Sequence, residues 1–119
     1  MFSFFGNETN PSSWHNLTQL SQLDEIIEKS YNETVVIFKH STRCSISSMA
    51  KSRLEKHTDL SCPTIYYLDL IAHRDISNEI AARFGITHES PQVIVLKNGI
   101  PIYHASHGSI NMDEIKKAA

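Results

Sequence analysis

Cys44 is the residue in this 119-residue chain whose type and setting offer the clearest chemistry. It follows the β-branched and aromatic run Thr34-Val35-Val36-Ile37-Phe38 and directly precedes a helical pattern that begins near Ser45. The first-turn amides of a helix have no partner inside it, and the helix dipole adds partial positive charge there. Both favour thiolate over thiol. Arg43 adds a full positive charge next door, and Ser47 is placed to donate a hydroxyl hydrogen bond one turn in. A thiolate so stabilised is a nucleophile toward disulfides. The plainer reading, a small buried hydrophobe, suits cysteines inside elements better than one at a polar strand-to-helix junction.

Other reactive side chains carry less. His40 and His88 are candidates for proton transfer near Cys44, one in the turn after the strand and one in a later loop ahead of Pro91. Lys39, Arg43 and Arg74 are either plain solvated charges or partners for carboxylates on a small thiol. His40, Cys44 and His88 lack the paired spacing of a metal site, so no metal is expected. Cys62 is the other cysteine, and two are too few for a disulfide framework. The expected setting is the cytoplasm, with both thiols reduced at rest.

Periodicity supplies the elements that position these residues. Residues 1–15 read as an irregular lead-in containing Asn10-Pro11-Ser12-Ser13, and 16–119 as one domain. Trp14 is expected to pack back onto that domain. A short strand is predicted over 17–20, then a helix capped by Ser21 with Leu23, Ile26 and Ile27 on one face. The run 34–38 suits a strand covered on both faces. Ile46, Met49, Ala50 and Leu54 form the next helical stripe, followed by a buried-type strand over 64–70. Ile76, Ile80 and Phe84 mark a further helix face, closed by Gly85. Two strands, 92–97 and 100–104, are joined by Asn98-Gly99, which tolerates the positive φ angles of a type I′ turn. Pro101 puts the second of them at a sheet edge. Asn111 caps the last helix, with Met112 and Ile115 turned inward. The result is an α/β chain with a mixed sheet, βαβ–α–ββ–α, flanked by helices.

Composition bounds the partners. Hydrophobic residues make up 40% and charged residues 20%, ordinary values for a globular domain. A net charge of −2 argues against a nucleic-acid or anionic-membrane partner. No apolar run approaches the ~20 residues of a membrane span, and the start lacks the flanks of a secretory signal. Asn-x-Thr triplets begin at Asn7, Asn16 and Asn32, but nothing supports the secretion a glycan requires.

Ser41-Thr42-Arg43-Cys44-Ser45-Ile46-Ser47 resembles the active-site turn of thioredoxin-fold enzymes, with serine in place of the second cysteine of dithiol members. Phe84-Gly85-Ile86, Ser90-Pro91 and Lys97-Asn98-Gly99 resemble the thioredoxin stretch around its cis-proline. Lys39-His40-Ser41, His73-Arg74-Asp75, His88-Glu89-Ser90-Pro91-Gln92 and Ala105-Ser106-His107-Gly108 narrow the likeness to the YtxJ-type, monothiol bacilliredoxin-like proteins of the bacillithiol system. The resemblance runs from about Leu17 to the C-terminus. It departs at Ser45, where typical members carry proline.

What the resemblance implies is a thioredoxin-like fold and a monothiol thiol–disulfide oxidoreductase acting through Cys44. Arg43 and Ser47 stabilise the thiolate, and Thr42, His88, Ser90 and Pro91 bind substrate. The Ser90–Pro91 bond is expected to be cis, with the backbone of Ser90 pairing a substrate laid across Cys44. Bacillithiol is the implied co-substrate, proteins carrying mixed disulfides are the partners, and no tightly bound cofactor is needed. The alternative is a binding module holding an iron–sulfur cluster or client protein through Cys44 without turnover. Monothiol glutaredoxins that hold clusters carry glycine-phenylalanine after the cysteine, whereas this chain has Ser45-Ile46.

Overall fold

The computed structural model describes residues 13–59 and 61–119. The predicted lead-in therefore lies outside the described residues except for its last three positions. The elements are β1 (Trp14–Asn16), α1 (Ser21–Lys29), β2 (Val35–His40), α2 (Ser45–Lys56), β3 (Thr64–Asp69), α3 (Arg74–Phe84), β4 (Gln92–Lys97), β5 (Ile100–Ser106) and α4 (Met112–Ala118). One turn of 3₁₀-helix, His107–Ser109, links β5 to α4.

The five strands form one mixed sheet in the order β1-β3-β2-β4-β5. β3 pairs in parallel with β1 and β2, and β4 runs antiparallel to β2 and β5. This is a thioredoxin fold, with β5 at the edge as Pro101 requires. Asn98 (φ 55°) and Gly99 (φ 80°) take the positive dihedrals expected of the hairpin turn. The turn is anchored across the domain, because the Asn98 amide donates to the Ser30 carbonyl at 2.8 Å and the Gly99 amide to Ser30 Oγ at 2.9 Å.

Every residue of β2 is buried, as a strand covered on both faces demands. Val36 and Phe38 pack with Ala50 and Leu54 of α2 and with Met112 and Ile115 of α4. Val35 and Ile37, one residue out of phase, pack with Leu23 and Ile26 of α1 and Ile76 and Ile80 of α3. Gly85 closes α3 in the left-handed conformation at φ 66°, and Asn111 Oδ1 accepts the Glu114 amide at 2.9 Å to cap α4.

Three expectations are corrected. The first strand is Trp14–Asn16 rather than 17–20, so it begins within the predicted lead-in; buried Trp14 stacks on Tyr67 at 6.0 Å. Ser21 is the first helical residue of α1, not its cap. No side chain caps α1; Gln22 Oε1 instead fastens the preceding turn, accepting the Thr18 amide at 2.8 Å and the Gln19 amide at 3.0 Å. The buried face of α2 is Ser47, Ala50, Lys51 and Leu54, which leaves Ile46 and Met49 exposed. Lys51 stays on the inner side because its ammonium meets Glu55 at 2.7 Å and lies over the Tyr67 and Trp14 rings.

Candidate active site

The site stands at the C-terminal end of β2, where the chain turns into α2. Cys44 occupies the cap position of that helix in an extended conformation, φ −116° and ψ 124°, and its side chain is half-buried. Its backbone is held on both sides. The Cys44 amide donates to the Ser41 carbonyl at 3.2 Å, and the Cys44 carbonyl accepts the Ser48 amide at 3.0 Å. No acidic residue stands in the first turn of α2, so nothing there offsets the positive end of the 12-residue helix. Arg43 and Thr42 are exposed beside the thiol.

Ser47 holds the turn before the helix in place. Its fully buried hydroxyl accepts the Ser41 amide at 3.0 Å and makes no cap bond with Cys44. The Ser41 hydroxyl in turn accepts the Arg43 amide at 3.4 Å. Ser47 thus fixes the shape of the turn that carries Cys44.

His40 is not in the open turn. It ends β2, fully buried, with its ring 5.5 Å from Tyr67 and 5.8 Å from Phe38. Lys39 is likewise buried and cannot meet a ligand directly. Its Nζ lies 3.4 Å from the Ser77 carbonyl of α3 and 3.3 Å from His88 Nδ1. Burial pulls Lys39 down to about 8, and burial with the neighbouring Lys39 and Arg74 charges lowers His88 against a raising effect of Glu89. Ser77, which sequence reasoning did not single out, also places its hydroxyl 3.3 Å from His88 Nδ1. Its spacing on α3 gave no sign of this.

The proline loop leads into β4, the antiparallel neighbour of β2. The Ser90–Pro91 peptide bond is cis, and Pro91 is buried while Ser90 is half-buried. Gln92, next along, pairs with Lys39 in the sheet, which sets this loop beside the end of β2. The Pro91 carbonyl accepts the His107 amide at 3.0 Å, and the His107 ring reaches Glu89 at 3.5 Å. Arg53 of α2 donates to the His107 and Ile110 carbonyls, each at 3.3 Å, tying the 3₁₀ turn to the reactive helix. Among the described residues no group of three or more His, Cys, Asp or Glu side chains is arranged to hold a metal ion. No helix among them is long and apolar enough to cross a membrane.

Cys62 is remote. It precedes β3, whereas Cys44 follows β2, and the parallel register of Val35 with Thr64 and His40 with Asp69 sets the two at opposite ends of the sheet. The Cys62 sulfur accepts the Asp59 amide at 3.1 Å and lies 3.3 Å from the His57 carbonyl.

A thioredoxin fold with one cysteine at the cap of its second helix, and a cis-proline just before the strand that neighbours β2, defines a thiol redox protein. Residues 15–115 match the family described as monothiol bacilliredoxin BrxC, and the chain belongs to that family. Solved structures agree on the fold. A protein described as having a thioredoxin fold is 32% identical, with a TM-score of 0.76 over 89% of this chain and 93% of its own. A Schistosoma mansoni thioredoxin is 25% identical, with a TM-score of 0.66 over 91% of this chain and 100% of its own. A thioredoxin of Malassezia sympodialis, 19% identical, shares the fold with a TM-score of 0.67 over 96% and 94%.

Proposed function

We propose that this protein is a cytoplasmic monothiol oxidoreductase that removes a low-molecular-weight thiol, bacillithiol by its family, from protein mixed disulfides. The observation that carries the reading is Cys44 at the open cap of α2, with the other cysteine at the far end of the sheet. The Cys44 thiolate attacks the small-thiol sulfur of the mixed disulfide. A new Cys44–small-thiol disulfide forms, and the target cysteine leaves as a thiolate that takes a proton from water. A second small-thiol thiolate then attacks the adduct, releasing the small-thiol disulfide and restoring Cys44. Electrons balance without any tightly bound cofactor.

Thr42, Ser90 and Pro91 line the path of the incoming disulfide. The Ser90 backbone offers strand-type pairing to it. Arg43 contributes positive charge beside the reacting sulfur.

Intact mass spectrometry after exposure to an oxidised small thiol tests the first half-reaction. The wild type should gain the mass of one small thiol, and Cys44→Ser should gain none. An adduct confined to Cys62 would overturn the assignment.

A further inference from the structure

Lys39 is a fully buried ammonium, and among the described residues no carboxylate pairs with it. An unpaired buried charge is costly, so the groups that do meet it carry meaning. They are the Ser77 carbonyl at 3.4 Å and His88 Nδ1 at 3.3 Å. An ammonium has only donors, so His88 must turn an unprotonated Nδ1 toward it. Ser77 Oγ, 3.3 Å from the same nitrogen, can share that lone pair as a bifurcated second donor. The ring proton is thereby assigned to Nε2, the nitrogen on the far edge of an exposed side chain.

The position of that edge matters. His88 lies three residues before Pro91, and Gln92 pairs with Lys39, so the ring sits at the end of β2 in the loop that leads into the cis-proline. Its surroundings are positive on balance: Lys39 of β2 and Arg74 of α3 both disfavour a second proton on the ring, while Glu89 opposes them. Glu89 is itself engaged with His107 at 3.5 Å. The ring therefore stays neutral and offers one fixed N–H donor, with a buried positive charge directly behind it. Such a donor suits an anion better than a neutral acceptor.

We infer that His88, held as the Nε2–H tautomer by Lys39 and Ser77, recognises a carboxylate of the low-molecular-weight thiol that Cys44 exchanges. The inference rests on the exchange reading above. Lys39 and Ser77 are positioning residues: they do not touch the ligand, and the lysine charge reaches it through the imidazole.

The test compares oxidised glutathione, which carries carboxylates, with bis(2-hydroxyethyl) disulfide, which carries none. The ratio of kcat/KM for the two should fall about tenfold in His88→Ala and in Lys39→Met, the loss of one charge-assisted hydrogen bond. His88→Gln should restore part of it, because the amide N–H reaches where Nε2–H was. Long-range ¹H–¹⁵N spectra at pH 7 should show His88 as the Nε2–H tautomer in the wild type and as a mixture in Lys39→Met. An unchanged ratio in His88→Ala, or an Nδ1–H tautomer in the wild type, would overturn the inference. If neither disulfide reacts, the exchange reading fails separately. Titration with S-methylglutathione then decides the carboxylate site, since His88 resonances that do not move would contradict it.

Discussion

The Ser47 hydroxyl oxygen accepts the Ser41 amide at 3.0 Å, so the turn that carries Cys44 is fastened to the helix that follows it. Both residues are buried. Ser47→Ala leaves a buried amide without an acceptor, at a cost of about 1–3 kcal/mol. Urea unfolding should show that loss in the midpoint with an unchanged slope. A midpoint equal to the wild type's would mean that the turn is held some other way.

Lys39 makes stability depend on alkaline pH. Its ammonium titrates at about 8 in the folded protein, against 10.5 for an unperturbed lysine such as an unfolded chain presents. Between these values the unfolded chain binds more protons, so stability rises with pH through that window. Below it both states are charged and the full burial cost is present; above it both are neutral and the cost is gone. From pH 7 to 10.5 the wild type should gain about 3 kcal/mol relative to Lys39→Met. Parallel denaturation series at several pH values read this directly, and a constant difference would place the lysine in a more polar setting.

Cys44 and Cys62 should not form an intramolecular disulfide in the folded protein. Six paired positions of β2 and β3 separate them. At about 3.3 Å per residue this exceeds the ~7 Å between Cα atoms that a disulfide permits. Peptide mapping of oxidised monomer should recover no such linkage. Finding it in native protein would contradict the parallel register.

Gly99→Ala probes the hairpin that supports the proline loop. The φ of 80° disfavours any L side chain, and a Cβ there would lie 2.5 Å from the Tyr31 hydroxyl oxygen. Tyr31 is exposed and can swing aside, so the backbone term dominates at about 1–2 kcal/mol. The thermal midpoint should fall by about 5–10 °C.

Much of this was legible in the residues themselves. The unbroken apolar run of β2, the Asn98-Gly99 turn and Pro101 at the edge dictated the sheet, because burial and turn chemistry leave few alternatives. Cys44 was found from its place between a strand and a helix. The face of α2 was misread because Lys51 looks solvated in sequence, while its ammonium in fact lies over two aromatic rings. Three-residue β1 is too short to show a period. Lys39 could have been placed, since it shares strand parity with Val35 and Ile37 and must face inward with them. Its partners Ser77 and His88 come from α3 and a distant loop, and only the fold brings them together.

The central claim is that Cys44 alone exchanges a small thiol with a target cysteine. The most direct measurement uses a client protein carrying one bacillithiol mixed disulfide, incubated with this protein in the reduced state. Mass spectrometry should show the client losing one bacillithiol while Cys44 gains it, in equal amounts, with Cys62→Ser fully competent and Cys44→Ser inert. A client that keeps its bacillithiol, or one released equally by Cys44→Ser, would contradict the account.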